Sequence, residues 1–243
     1  MSLHESLRID MERIVGAEAV LTDPIQLLAY DCDAYTIEKA LPTAVVLPQT
    51  TEQVAAVVRL ANRAGLPIVP RGAGTGLSGG ALAARGGIVL AFSRMHRILW
   101  VDTRNRRLRA QAGAVNYQLS KAVQHAGLHF APDPSSQGAC TIGGNVAENS
   151  GGPHTLKYGV TVNHITGLQV VLPDGEVVEL GSEEDEPFGY DLVGLLLLTP
   201  LLALAHLAWL AKPLDRLAAR YSIIALLLLA LAVLIGLLLG RAQ

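Results

Sequence analysis

Pro70-Arg71-Gly72-Ala73-Gly74-Thr75-Gly76-Leu77-Ser78-Gly79-Gly80 is the stretch on which the reading of this 243-residue chain turns. It follows directly on Pro67-Ile68-Val69-Pro70, a short apolar run read as a strand. Gly74, Gly76 and Gly79 satisfy the spacing G-x-G-x-x-G. In a dinucleotide fold that loop opens a long helix, and an acid for the ribose follows about 20 residues on. Only residues 81–86 precede the next strand here, and Arg85-Gly86-Gly87 cannot be a helix interior, so that fold is excluded. The Walker lysine is absent as well. What remains is a long loop whose backbone N–H groups no side chain obstructs. Such a nest holds pyrophosphate oxygens without a helix, and Arg71 adds charge. Taken alone, the pattern also fits a plain surface loop.

Outward from this loop, strand and helix patterns alternate. Ala44-Val45-Val46-Leu47 is a buried strand closed by Pro48. Thr50 and Gln53 form a capping-box pattern. Val54, Val57, Val58 and Ala61 then recur at helical spacing up to a stop at Gly65. The strand at 67–70 is expected to run parallel to the first, completing a βαβ unit, with a third strand at 88–92. Ile98 to Val101 and Arg107 to Ala112 flank a hairpin-like turn, Asp102-Thr103-Arg104-Asn105. A helix through Leu119, Val123 and Ala126 ends at Gly127. Later, Pro173-Asp174-Gly175-Glu176 between two apolar runs is a strong hairpin signal. At the start, Leu7, Met11, Ile14 and Val15 mark a short amphipathic helix. The acids Glu5, Asp10 and Glu12 there exclude an export signal.

A second glycine-rich segment comprises Pro132-Asp133-Pro134-Ser135-Ser136, Thr141-Ile142-Gly143-Gly144-Asn145 and Asn149-Ser150-Gly151-Gly152. Small hydroxyl and amide side chains alternate with glycines, so many donors can reach one flat polar ligand. A set of ordinary turns has the same composition. Composition removes other classes. Apolar residues are 51 % and charged residues 16 %, which excludes disorder. A net charge of −2 offers no broad basic surface for nucleic acid. Two cysteines, Cys32 and Cys140, are too few for a disulfide scaffold or a four-cysteine zinc site. His125 and His129 are separated by the helix-breaking Gly127, so no metal site is expected.

Taken in order, these motifs resemble the family of FAD-linked glycolate oxidase subunits and D-lactate and D-2-hydroxyacid dehydrogenases, of the vanillyl-alcohol-oxidase fold. The resemblance runs from about Leu7 to Gly194 and includes Pro153-His154-Thr155-Leu156-Lys157-Tyr158-Gly159, residues 167–175 and Gly189-Tyr190-Asp191-Leu192. It implies an α+β, two-lobed FAD-binding domain of the p-cresol-methylhydroxylase (PCMH) type over 42–194, its lobes meeting near residue 115, behind a helical segment at 1–41. It also implies that Pro70, Arg71, Gly72, Ala73, Gly74, Thr75, Gly76, Leu77 and Ser78 wrap the FAD pyrophosphate. Pro134, Ser135, Thr141, Gly143, Gly144, Asn145, Asn149 and Gly151 would follow the ribityl chain and flavin, with Tyr158, Gly159 and Ile165 approaching from the second lobe. Covalent members tether flavin through a histidine or cysteine; neither occurs at 70–80, so non-covalent FAD is expected. Cys140 reads as a small buried thiol. His154 matches a position near the flavin, or serves as a plain hydrogen-bonding group. In the family a closing G-S-E-G-T-L-G segment and a substrate domain follow, and here the text departs after Leu196.

That departure coincides with a break in composition. Of 24 glycines, 22 precede residue 195, and the 49 residues from 195 to 243 contain 20 leucines. Residues 221–240 carry no charge and would span ~30 Å as a helix, the thickness of a hydrocarbon core. Residues 195–211 are a shorter uncharged run containing Pro200 and His206. One or two transmembrane helices are expected. Lys212, Arg216 and Arg220 favour a single span that leaves them with a cytoplasmic flavin domain. The sequence is therefore read as a membrane-associated FAD-binding domain of an oxidoreductase for small D-2-hydroxy acids, without the substrate domain. Two alternatives are a membrane-anchored flavin subunit needing a catalytic partner, and a non-functional truncated fusion.

Overall fold

A computed structural model describes residues 4–181 and 191–195. Both apolar segments of the tail lie outside these residues, save Leu195. The described residues fall within one compact unit. Helix α1 (Glu5–Val15) buries Met11 and Val15, the expected stripe, and ends at Gly16 with φ of 92°. After strand β1 (Val20–Leu21), Asp23 accepts from the Ile25 N–H and Pro24 starts helix α2 (Pro24–Leu27). Strand β2 (Ala44–Val46) leads to helix α3 (Thr51–Arg63). The capping pair forms with a shift: Thr50 Oγ1 accepts from the Gln53 N–H, while Gln53 Oε1 accepts from the N–H of Gln49.

Strands β3 (Ile68–Arg71) and β4 (Ile88–Ala91) complete a four-stranded sheet ordered β1-β2-β4-β3. β2 and β3 are parallel, as expected, but they do not touch. β4 lies between them, with Val89 opposite Val45 on one side and Val69 on the other. Every residue of β4 is buried, which is why the most continuously apolar strand takes the centre. Val54, Val57, Leu60 and Ala61 of α3 cover the sheet, giving the main core.

Beyond the sheet the architecture changes to hairpins and short helices. β5 (Ile98–Asp102) and β6 (Arg107–Ala110) pair antiparallel around the predicted turn, where Asp102 Oδ1 accepts from the N–H groups of Arg104 and Asn105. α4 (Asn116–Val123) stops short of Gly127, whose φ is 69°. α5 (Ile142–Glu148) and α6 (Thr155–Tyr158) are short. β7 (Gly167–Val171) and β8 (Val177–Gly181) form the Pro-Asp-Gly hairpin. Its turn is clamped to α3: Arg59 Nη1 donates to the Gly175 carbonyl at 2.6 Å, and Asn62 donates to that of Pro173. The division expected near residue 115 is thus a change of architecture inside one compact unit.

Because Leu90 is 2 % exposed at the centre of this sheet, Leu90→Ala should cost about 2–5 kcal/mol, read from the urea midpoint at constant m-value.

Candidate FAD site

The two glycine segments meet. A side chain on Gly72 would place its Cβ 2.3 Å from Thr141 Oγ1 and 3.8 Å from the Gly144 Cα. Only glycine permits that approach. Gly74 has φ of 70°, and a Cβ there would lie 2.2 Å from a guanidinium nitrogen of Arg71. Arg71, at the end of β3, is 8 % exposed and stacks over the Tyr30 ring, 5.6 Å from its centroid. Its Nη1 is buried without any hydrogen-bond partner among the described residues. A buried guanidinium left unpaired is costly, and an anion entering the loop would relieve it.

Beside these loops lies a cleft of about 250 Å³. Gly72, Ala73 and Thr141, three of the residues named from the sequence, line it. Ser93, His96 and Gly113 line it too. The sequence reading missed them, because they come from the turn after β4 and the segment after β6 rather than from a glycine run. Gly113 was the available signal: a Cβ there would strike the Phe92 carbonyl at 1.9 Å, so the two segments close only on glycine.

Several expected ligand groups are already engaged. Asn145 is 2 % exposed, and its Nδ2 donates to Asn116 Oδ1 at 2.9 Å; Asn116 in turn donates to the Pro132 carbonyl at 3.1 Å. That buried pair ties α5 to the Pro132–Ser136 turn, so the Asn145 amide N–H positions the site. Asn149, with φ of 47°, accepts at Oδ1 from the Val162 N–H. Thr141 caps α5 by accepting from the Gly144 N–H at 3.3 Å, and Ser78 donates to Glu148. Pro134 closes a turn with its carbonyl accepting from the Gln137 N–H, leaving Ser135 exposed. Thr75, Gly76 and Leu77 form the outer part of the loop, where the Gly76 carbonyl accepts from the Ala34 N–H. The neighbouring Cys32 thiol is pushed up from its ordinary value by hydrogen bonding to Asp31, by burial and by the Asp31 charge.

Tyr158 and Gly159 sit in a second cluster, and Ile165 follows the turn at 161–164, its N–H donating to the Val162 carbonyl. The Tyr158 ring faces His129 and His154 at centroid distances of 6.1 and 6.4 Å, and its carbonyl meets His164 Nε2 at 2.9 Å. Gly151 packs on Thr155, and Gly159 on Asn163. Cys140 is buried, as expected. His154 Nδ1 lies 2.5 Å from Asp133 Oδ2, which joins this cluster to the second glycine segment.

Residues 42–181 match the profile of a family described as an FAD binding domain. The chain belongs to that family. It is 46 % identical over 184 residues to glycolate oxidase subunit GlcD of Escherichia coli (strain K12), covering 76 % of this chain and 37 % of the relative. It is 41 % identical over 160 residues to D-lactate dehydrogenase of Anaerostipes hadrus, covering 65 % of this chain and 34 % of that protein. The chain thus spans little more than a third of these curated relatives. Among solved structures, 4-ethylphenol oxidase from Gulosibacter chungangensis superposes with a TM-score of 0.67 at 26 % identity, over 79 % of this chain and 39 % of that one. p-Cresol methylhydroxylase gives 0.67 at 22 % identity over 79 % and 40 %, which shows the PCMH-type fold alone. FAD is the cofactor of this family domain, and the unpartnered Arg71 and the glycine approach at Gly72 fit its diphosphate.

Burial raises the Asp133 carboxyl, but the ring and backbone hydrogen bonds from His154, with its charge, hold it below the ordinary value of 3.8. A depressed folded value means stability that is present above 3.8 and lost as pH falls through the folded value. The urea midpoint of the wild type should therefore drop more between about pH 5 and about pH 3 than that of Asp133→Asn. Parallel pH profiles would show that the pair contributes nothing.

Proposed function

We infer that this FAD-binding domain serves a flavin-dependent oxidoreductase acting on small D-2-hydroxy acids of the glycolate and D-lactate type. The buried, unpartnered Arg71 beneath the glycine loop carries the binding half of this reading, and the relatives named above support the substrate class. The residues in hand bind and orient: Arg71 with the N–H groups of 72–78 would hold the diphosphate, and Gly143, Gly144 and Ser135 would flank the rest. Bound FAD supplies a hydride acceptor. The flavin is held non-covalently, since 70–80 contain neither histidine nor cysteine and Cys140 is buried. No base and carboxylate-binding arginine pair up in the described site, so turnover requires groups from outside the described residues.

The tail is proposed to enter a lipid bilayer through 221–240, leaving the flavin domain and the bases at 212–220 on the cytoplasmic side. Its uncharged length and its flanking bases support this.

Purified protein should carry flavin absorbance that denaturation releases into the supernatant, and Arg71→Met should weaken FAD binding by tenfold or more, on the order of 1.4 kcal/mol. With glycolate or D-lactate and an artificial electron acceptor, the 243-residue chain should show no steady turnover. Sustained turnover would place catalytic groups within this chain. An impermeant thiol reagent applied to intact cells should leave Arg216→Cys unlabelled; labelling from outside would overturn the single span.

A further inference from the structure

Glu148, the last residue of α5, lies outside every role assigned above. Both its carboxylate oxygens accept from the Ser78 hydroxyl, at 3.1 and 3.0 Å. The same carboxylate lies against the glycine loop itself: a Cβ on Gly80 would come within 3.2 Å of Oε1, and one on Gly76 within 4.0 Å. Among the described residues, no Lys or Arg is within ion-pair distance of it. A helix C-terminus disfavours an anion, so α5 does not account for its place. One loop therefore carries an unpartnered buried cation at its Arg71 end and an uncompensated carboxylate at its Ser78 end. The loop hydroxyl expected to serve the cofactor is donating to that carboxylate.

We propose that Glu148 sets the affinity of the FAD site: its negative charge opposes the dinucleotide's diphosphate and keeps cofactor loading weaker than Arg71 and the glycine loop alone would give. This rests on the FAD reading above and deepens it. The effect is one of charge. Glu148→Gln removes the charge and keeps an amide oxygen that still accepts from Ser78, so the loop retains its anchor.

The test titrates the flavin-free full chain and its Glu148→Gln variant with FAD, ADP and riboflavin, at low and at high salt. The variant should bind FAD and ADP about fivefold more tightly at low salt, the scale of one charge pair a few ångström apart in a wet site. The gain should shrink at high salt. Riboflavin, which has no diphosphate, should bind both proteins equally. Equal FAD binding by the two proteins overturns the proposal and leaves the FAD reading standing. Weaker binding by the variant also overturns it, and makes Glu148 an acceptor for a cofactor hydroxyl. A gain extending equally to riboflavin overturns it as a general loosening of the loop. FAD binding by neither protein overturns the FAD reading and the proposal together.

Discussion

The contact between Gly72 and Thr141 is the constraint on which the rest of the site depends. Two segments about 70 residues apart in sequence approach until no Cβ fits between them. Each is held from behind by a different device. The first rises from β3, whose place beside the buried β4 is fixed by parallel pairing from Ile68 to Arg71. The second is held by Asn116 and Asn145, a buried amide pair that bonds to itself and to the Pro132 carbonyl. Buried amides are affordable only when satisfied, so the pair also fixes the register between the turn and α5.

Much of this arrangement was legible in the residues. The hairpin turns follow from Asp102 and from Asp174-Gly175, whose side-chain and positive-φ requirements are local. α3 follows from its apolar spacing and its cap. Strand order was not legible, because parallel strands are joined by crossovers and the alternation of patterns does not say which strand takes the middle. β4 takes it because all four of its residues are apolar and buried, a property of neighbours rather than of sequence order.

In the site, the glycines were legible and the polar side chains less so. Asn145 and Asn149 carry the composition of ligand groups, yet the chain uses part of their hydrogen-bonding capacity to hold its own loops. Ser93, His96 and Gly113 reach the cleft through tertiary closure alone. Arg71 was legible as a charge. Its burial over Tyr30 and its lack of a partner were not, since Tyr30 lies 41 residues upstream.

The clamp between the β7–β8 turn and α3 bears on how the chain reaches this state. Its bonds join residues separated by 116 and 111 positions, and Thr51 reaches Gln169 across 118. Contacts of that separation form only after the intervening chain has been drawn together, and loop closure must precede any reward from them. On a ribosome, α3 emerges more than a hundred residues before its hairpin partner. The helix surface carrying Arg59 and Asn62 can therefore meet these partners only after both glycine segments have been made.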